Sequence, residues 1–317
     1  MEYIILILSL AGIVLGADFL VKGAVVVARK CKVSSFVIGA VIVGIGTSLP
    51  ELVVSTVGAI GGNSEVAIGN VVGSNIFNVF AILGLTALFF PIAVSRENMK
   101  FEIPFCIAVS ILLMLLVYNF FVVGEPRLGR WDGAALLLVF TAFMWISLRR
   151  GKSSAAAVGE SVEEVNKSLW FAAFSILGGL AALIVSSNFF VDEAVAIARK
   201  LGVSDAFISI TLLACGTSLP ELAASVTAAL KKDTDMALGN IIGSNIFNAT
   251  MILGTASLIT PLTTGKIGLV DYGAMILAAV LPMIFGIRGK ITRFEGLLML
   301  LCYAAYTWYI VTYVMAV

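Results

Sequence analysis

The chain contains no histidine, and only 12% of its 317 residues are charged. A water-soluble domain carries about a quarter charged residues, so this sequence has too little polar surface to cover its apolar mass in water. The missing histidine excludes histidine-held metals, histidine triads and histidine proton relays. Cysteine is scarce as well. Cys31, Cys106, Cys215 and Cys302 lie far apart and form no CxxC pair, so neither a zinc site nor a disulfide framework is expected, and they read as small apolar side chains. The net charge of +1 offers no concentrated basic face of the kind a nucleic-acid partner needs.

Apolar residues fill the space that charge leaves. They make up 60% of the chain, and mean hydropathy is +1.09. A spanning helix needs about 20 apolar residues. Ten such segments are predicted, near 3–26, 36–60, 66–90, 101–122, 131–149, 168–191, 206–230, 236–260, 269–287 and 295–316. The expected fold class is all-α integral membrane. The first apolar run starts at Tyr3 with no basic residue before it and passes straight into a longer pattern, so it is expected to be a retained helix rather than a cleaved signal. Residues 150–167 are small, polar and charged, and read as the linker between two units, 1–149 and 168–317.

Lysine and arginine orient the spans. With the amino terminus outside, fourteen of them (Arg29, Lys30, Lys32, Arg96, Lys100, Arg149, Arg150, Lys152, Lys167, Lys231, Lys232, Arg288, Lys290 and Arg293) fall on the cytoplasmic side. Five (Arg127, Arg130, Arg199, Lys200 and Lys266) fall on the other, with Lys22 left in or near the first span. The positive-inside bias places both termini outside and the linker in the cytoplasm of a multi-pass cell-membrane protein.

The two units are copies. Residues 46–78 read GTSLPELVVSTVGAIGGNSEVAIGNVVGSNIFN and residues 216–248 read GTSLPELAASVTAALKKDTDMALGNIIGSNIFN, with 18 of 33 positions identical at an offset of 170. The same offset pairs ADFLVKGAVVVARKCKVS (17–34) with SNFFVDEAVAIARKLGVS (187–204). Each copy holds five spans, an odd number, so the second must sit inverted relative to the first. Two inverted five-helix repeats are a recurrent build of secondary transporters, with the site where the repeats meet near the midplane.

The acids at that midplane are Glu51 and Glu221, repeat mates set deep in apolar segments. Carboxylates at the bilayer centre cost about 2.5–3.5 kcal/mol on insertion scales and default to function; the competing reading is a protonated glutamate bridging helices. Pro50 and Pro220 cannot donate to the carbonyls four residues back, so each helix is expected to break just before its glutamate. Freed carbonyls at that depth require a cavity or a bound ion. Thr47, Ser48 and Glu51 fall within one turn, as do Thr217, Ser218 and Glu221, and are expected to share a face. The next span adds Asn70, Ser74 and Asn78, repeated as Asn240, Ser244 and Asn248. Such residues can simply glue helices together, but beside a glutamate-bearing break they are expected to line an ion site. Every candidate ligand is an oxygen, which suits a hard cation such as calcium. Two buried negative charges match one divalent or several monovalent cations, and an empty ionised pair is penalised; a site that crosses only when loaded is the logic of an antiporter.

At these doubled GTSLPE and GNxxGSN motifs the sequence resembles the calcium/cation antiporter superfamily, and more closely its sodium/calcium exchanger family of prokaryotic type. The resemblance covers essentially the whole chain. It implies ten helices and an antiporter, not an enzyme, that needs no cofactor and extrudes calcium in exchange for sodium; it implies no protein partner either way. It further implies that Glu51 and Glu221 are shared by both ions and that the carbonyls of Thr47 and Thr217 complete the calcium shell. Sodium would meet Thr47, Ser48, Ser74 and the Gly44 carbonyl in one half, and Thr217, Ser218, Ser244 and the Ala214 carbonyl in the other. Asn78 and Asn248 would lie at the middle of the cluster, where several family members carry aspartate. The proton/calcium branch typically shows GNxxE where this chain has GNVVG and GNIIG, which tilts the reading toward sodium. The alternatives are a proton/calcium antiporter using the same glutamates, a cation channel, and an intramembrane hydrolase, which has neither a histidine base nor a buried aspartate dyad to work with.

Overall fold

The computed structural model describes residues 2–118, 126–153, 168–201 and 216–314. Among these, the spans are α1 (Glu2–Cys31), α2 and α3 (Ser35–Thr47 and Leu49–Ile60, bent 47° at their junction), α4 (Ser64–Phe89) and α5 (Arg96–Tyr118). They continue with α6 (Arg130–Ser153), α7 (Leu169–Lys200), α9 (Thr234–Ile259), α10 (Leu269–Gly286) and α11 (Arg293–Tyr309), which runs on into a π-helical turn over Ile310–Val314. Of the span expected at 206–230, the described part is α8 (Leu219–Leu230). α1 ends at Cys31 rather than 26, and α7 at Lys200 rather than 191. Their polar last turns remain helical beyond the apolar run, because basic side chains at a helix C-terminus favour the helix dipole. The linker residues 154–167 lie outside the described residues.

The inversion is visible where α1 crosses its mate α7. Gly12 faces Ser186, Gly16 faces Gly179 and Leu183, and Gly23 faces Ala172 and Ile176. Numbers rise along one helix as they fall along the other, so the mates run antiparallel. A Cβ on Gly16 would sit 2.9 Å from the Gly179 carbonyl oxygen, and one on Gly179 would sit 2.6 Å from the Leu20 nitrogen. Only glycine permits this approach, the packing mode helices use where lipid removes the hydrophobic drive to associate.

Further exchanges between the halves repeat the symmetry. Gly84 of α4 packs on Gly296 of α11, and its mate Gly254 of α9 packs on Gly133 of α6. Two short ladders stitch the loops: β1 (Ile92–Ala93) pairs with β4 (Lys290–Ile291), and β2 (Arg127–Leu128) with β3 (Leu262–Thr263). Glu2 and Lys200 form an ion pair at 2.6 Å, which puts the start of α1 and the end of α7 on one side. The centre belongs to α4 and α9. α9 buries 83% of its apolar stretch, whereas α11 buries 11% and turns residues such as Phe294, Leu301 and Trp308 outward. An outer surface that apolar requires lipid.

Acids inside spans are more numerous than Glu51 and Glu221. Asp18 lies within α1, half-exposed, and is bound by Lys22 at 2.6 Å and by Lys231 at 2.7 Å. Glu102 and Asp271 are buried near the starts of α5 and α10. Sequence position alone does not separate a paired acid such as Asp18 from an unpaired one.

Candidate ion-binding site

The site begins with the break between α2 and α3. Ser48 leaves helical geometry, with φ −84° and ψ 10°, and Pro50 opens α3 where its missing N–H is not needed. Glu51 therefore lies in the first turn of a twelve-residue helix, where the exposed N–H groups favour an anion. Glu221 occupies the same place in α8, behind Ser218 with φ −92° and ψ 8°. Both glutamates are completely buried.

Because the chain changes direction at Ser48, its hydroxyl does not turn back to Glu51. It donates to Glu221 Oε1 across the interface at 2.7 Å, and Ser218 donates reciprocally to Glu51 Oε1 at 3.0 Å. Ser48 and Glu51 both face the opposite repeat, as do Ser218 and Glu221, but each hydroxyl bonds the other half's glutamate rather than its own. Each half thus supplies the donor that holds the other half's acid.

Asn70 and Asn240 anchor the glutamate helices from behind. Asn70 Nδ2 donates to the Glu51 carbonyl at 3.2 Å and to Ser55 Oγ at 3.0 Å; Asn240 Nδ2 donates to the Glu221 carbonyl at 3.1 Å and to Ser225 Oγ at 2.8 Å. They belong to the glue. Thr47 Oγ1 lies 3.0 Å from the Val43 carbonyl and 3.3 Å from Asn240 Oδ1. Ser244 donates to the Gly44 carbonyl at 3.2 Å, and Ser74 Oγ lies 3.4 Å from Ser218 Oγ. A Cβ on Gly44 would sit 3.1 Å from both the Asn240 carbonyl oxygen and the Ser244 nitrogen, a tight fit. Ala214 lies outside the described residues.

Around the two acids, five buried oxygens have no hydrogen-bond partner among the described residues: Glu51 Oε2, Glu221 Oε2, Asn78 Oδ1, Asn248 Oδ1 and Thr217 Oγ1. An unsatisfied buried polar group costs about 1–3 kcal/mol, and more if charged. None of the ion pairs among the described residues includes either glutamate. The orphaned atoms are carboxylate and amide oxygens, together with one hydroxyl oxygen, so what this arrangement can receive is a cation. Asn78 and Asn248 each open a π-helical stretch, Asn78–Leu83 and Asn248–Ile252, the kind of local widening that recurs at functional sites. A cavity of about 640 Å³ reaches Ser74 from one side of the molecule, past Val54, Asn70, Gly73, Asp271 and Tyr306.

Across the interface the structure joins Ser48 to Glu221, Ser218 to Glu51 and Ser74, and Ser244 to Gly44, while Asn78 and Asn248 are held by Asn245 and Asn75, the residues that follow Ser244 and Ser74. Sequence reasoning passed over Ser55 and Ser225, and over Asn75 and Asn245. Asn75 Nδ2 donates to the Asn245 carbonyl, and Asn245 Nδ2 to the Asn75 carbonyl, both at 3.1 Å. The available signal was their identity in both copies of GSN; a search at helical spacing of four steps over them.

A sodium/calcium exchanger protein model matches residues 1–149 and 171–312. The putative antiporter CaxA of Alkalimonas amylolytica is 38% identical over 314 residues, covering 95% of this chain and 96% of its own. The sodium/calcium exchanger MaX1 of Methanosarcina acetivorans is 34% identical over 339 aligned positions, covering 96% and 97%. Among solved structures, the sodium-calcium exchanger NCX_Mj soaked with 10 mM Na+ and no Ca2+ superposes with a TM-score of 0.83 at 32% identity, covering 98% of both chains. Two inverted repeats, a paired-glutamate centre and matches that span nearly the whole chain agree: this chain belongs to the sodium/calcium exchanger family, a family of secondary transporters.

Proposed function

We propose that the protein exchanges calcium for sodium across the cell membrane by alternating access. The observation that carries the reading is the pair of unpartnered, fully buried carboxylate oxygens, Glu51 Oε2 and Glu221 Oε2, set among neutral oxygen donors. Calcium takes six to eight oxygens at about 2.3–2.6 Å. Its two charges balance the two carboxylates, and the carbonyls of Thr47 and Thr217 complete its shell. Sodium takes the same carboxylates together with Thr47, Ser48, Ser74 and the Gly44 carbonyl, and Thr217, Ser218, Ser244 and the Ala214 carbonyl. Asn78 and Asn248 contribute neutral oxygens at the middle. Since both loads need Glu51 and Glu221, one excludes the other, and an empty ionised pair resists reorientation. Exchange follows from that exclusion. The ions are cargo, and the transport step needs no resident cofactor.

The repeat units are 1–149 and 168–317, joined by a cytoplasmic linker, 150–167, with both termini outside. Support comes from consistency of sides. The β1–β4 ladder joins two loops that the charge bias assigns to the cytoplasm, and the β2–β3 ladder and the Glu2–Lys200 pair join segments assigned outside. The deciding experiment is calcium flux in proteoliposomes under separately imposed sodium and proton gradients. Uptake driven by the sodium gradient alone is expected; uptake driven only by protons would replace this reading with a proton/calcium antiporter, and unitary conductance with a channel.

A further inference from the structure

We infer that Asn75 and Asn245 are positioning residues that turn the amide oxygens of Asn78 and Asn248 toward the transported ion. The inference rests on the proposed ion cluster and adds the device that orients it.

An asparagine can face a cation with its oxygen or repel it with its NH2 group, and the rest of the hydrogen-bond network decides which. Here the decision starts at two backbone carbonyls, which can only accept. The Asn245 carbonyl takes Asn75 Nδ2 at 3.1 Å. That fixes Asn75 Oδ1 on the opposite arm, where it accepts from Asn248 Nδ2 at 3.2 Å. With its NH2 group spent on Asn75, Asn248 leaves Oδ1 buried and unpartnered. The other half repeats the sequence of choices. The Asn75 carbonyl takes Asn245 Nδ2 at 3.1 Å, Asn245 Oδ1 accepts from Asn78 Nδ2 at 3.0 Å, and Asn78 Oδ1 is left without a partner.

Reversing any one amide would set NH2 against NH2 or oxygen against oxygen along this path. The four side chains are 0–3% exposed, so water cannot repair a reversed link. Asn75 and Asn245 thus do more than bind the halves together: each dictates the polarity of a side chain in the cluster. The pairing also crosses the interface, since Asn75 orients Asn248 and Asn245 orients Asn78.

A carboxylate has oxygen on both arms, so an aspartate at the oriented position needs no orienting. This separates the inference from a purely structural role. Calcium affinity is measured by calorimetry on purified full-length protein for Asn75→Ala in two backgrounds, parent and Asn248→Asp, together with Asn248→Ala alone. Freed of Asn75, the Asn248 amide can present NH2, and calcium affinity should fall roughly tenfold in the parent background. In the Asn248→Asp background, where a carboxylate oxygen already opposes Asn75 Oδ1, the same Asn75→Ala change should not lower affinity. An equal loss in both backgrounds would make Asn75 helix glue and overturn the inference. Unchanged affinity in Asn248→Ala would instead remove Asn248 from the ion cluster and defeat the underlying reading. If Asn75→Ala does not fold, the mirror set, Asn245→Ala with and without Asn78→Asp, tests the same inference: a loss confined to the Asn78 background supports it, and an equal loss in both overturns it.

Discussion

Replacing Glu221 by glutamine removes one charge, keeps the side-chain shape, and leaves Ser48 an acceptor for the bond now made at 2.7 Å. In the parent, Oε2 is buried without a protein partner, so its compensation must come from the ion. Removing one partner of a buried charge pair costs about 3–5 kcal/mol, which at about 1.4 kcal/mol per decade is roughly a 100- to 4,000-fold loss of calcium affinity. The glutamine also presents either its oxygen or its NH2 group at the former Oε2 position, and the second choice repels the ion. Stability without ions should hold or rise, because a neutral amide replaces an uncompensated buried charge. At calcium 100 times the parent dissociation constant, the parent gains about 2.7 kcal/mol from binding, and a variant weakened 100-fold gains about 0.4 kcal/mol. A thermal-shift titration on purified protein, paired with calorimetry, reads this difference directly. Glu51→Gln should behave alike, since the site is built symmetrically and neither acid can replace the other. A folded variant of either kind that keeps parent-like calcium stabilisation would return the glutamates to a structural role.

Other consequences follow from the same geometry. Gly16→Val should destabilise the α1–α7 crossing by about 1–3 kcal/mol, because the added Cβ alone comes within 2.9 Å of backbone; a melting curve without ions that matches the parent would refute the close approach. Asn248→Asp adds a third acid to the cluster, so calcium binding should persist while exchange becomes dependent on an additional monovalent cation. Flux with and without potassium tests this, and superimposable rates would remove Asn248 from the centre. In a background free of Cys31, Cys106, Cys215 and Cys302, an impermeant thiol reagent applied to intact cells should label a cysteine placed at Val317 but not one placed at Ser161. Equal labelling would contradict the proposed sidedness.

Much of this architecture was legible because its causes are local or repeated. Proline at positions 50 and 220 enforces the breaks through a missing N–H and a clash, and the 47° bend appears where Pro50 predicts it. Inversion follows from an odd number of spans per copy, and the antiparallel α1–α7 crossing bears it out. The partners chosen across the interface were hidden. Helical spacing put Ser48 and Glu51 on one face but could not show that the Ser48 hydroxyl bonds Glu221 of the other repeat. Asn75 and Asn245 escaped notice because their bonds run to residues 170 positions away and to backbone carbonyls. Asp18 shows the reverse limit. It sits in a spanning helix, yet Lys231, remote in sequence, pairs with it.

The central claim is that the two glutamates hold the cargo together, and anomalous scattering tests it most directly. Crystals of this protein soaked with strontium, a heavy stand-in for calcium, should show one dominant anomalous peak between Glu51 Oε2 and Glu221 Oε2, at coordination distance from both (about 2.3–2.6 Å for calcium, slightly longer for the larger ion), and a high-sodium soak should abolish it. A strontium peak bound by other residues, or one that persists beside bound sodium, would contradict the account.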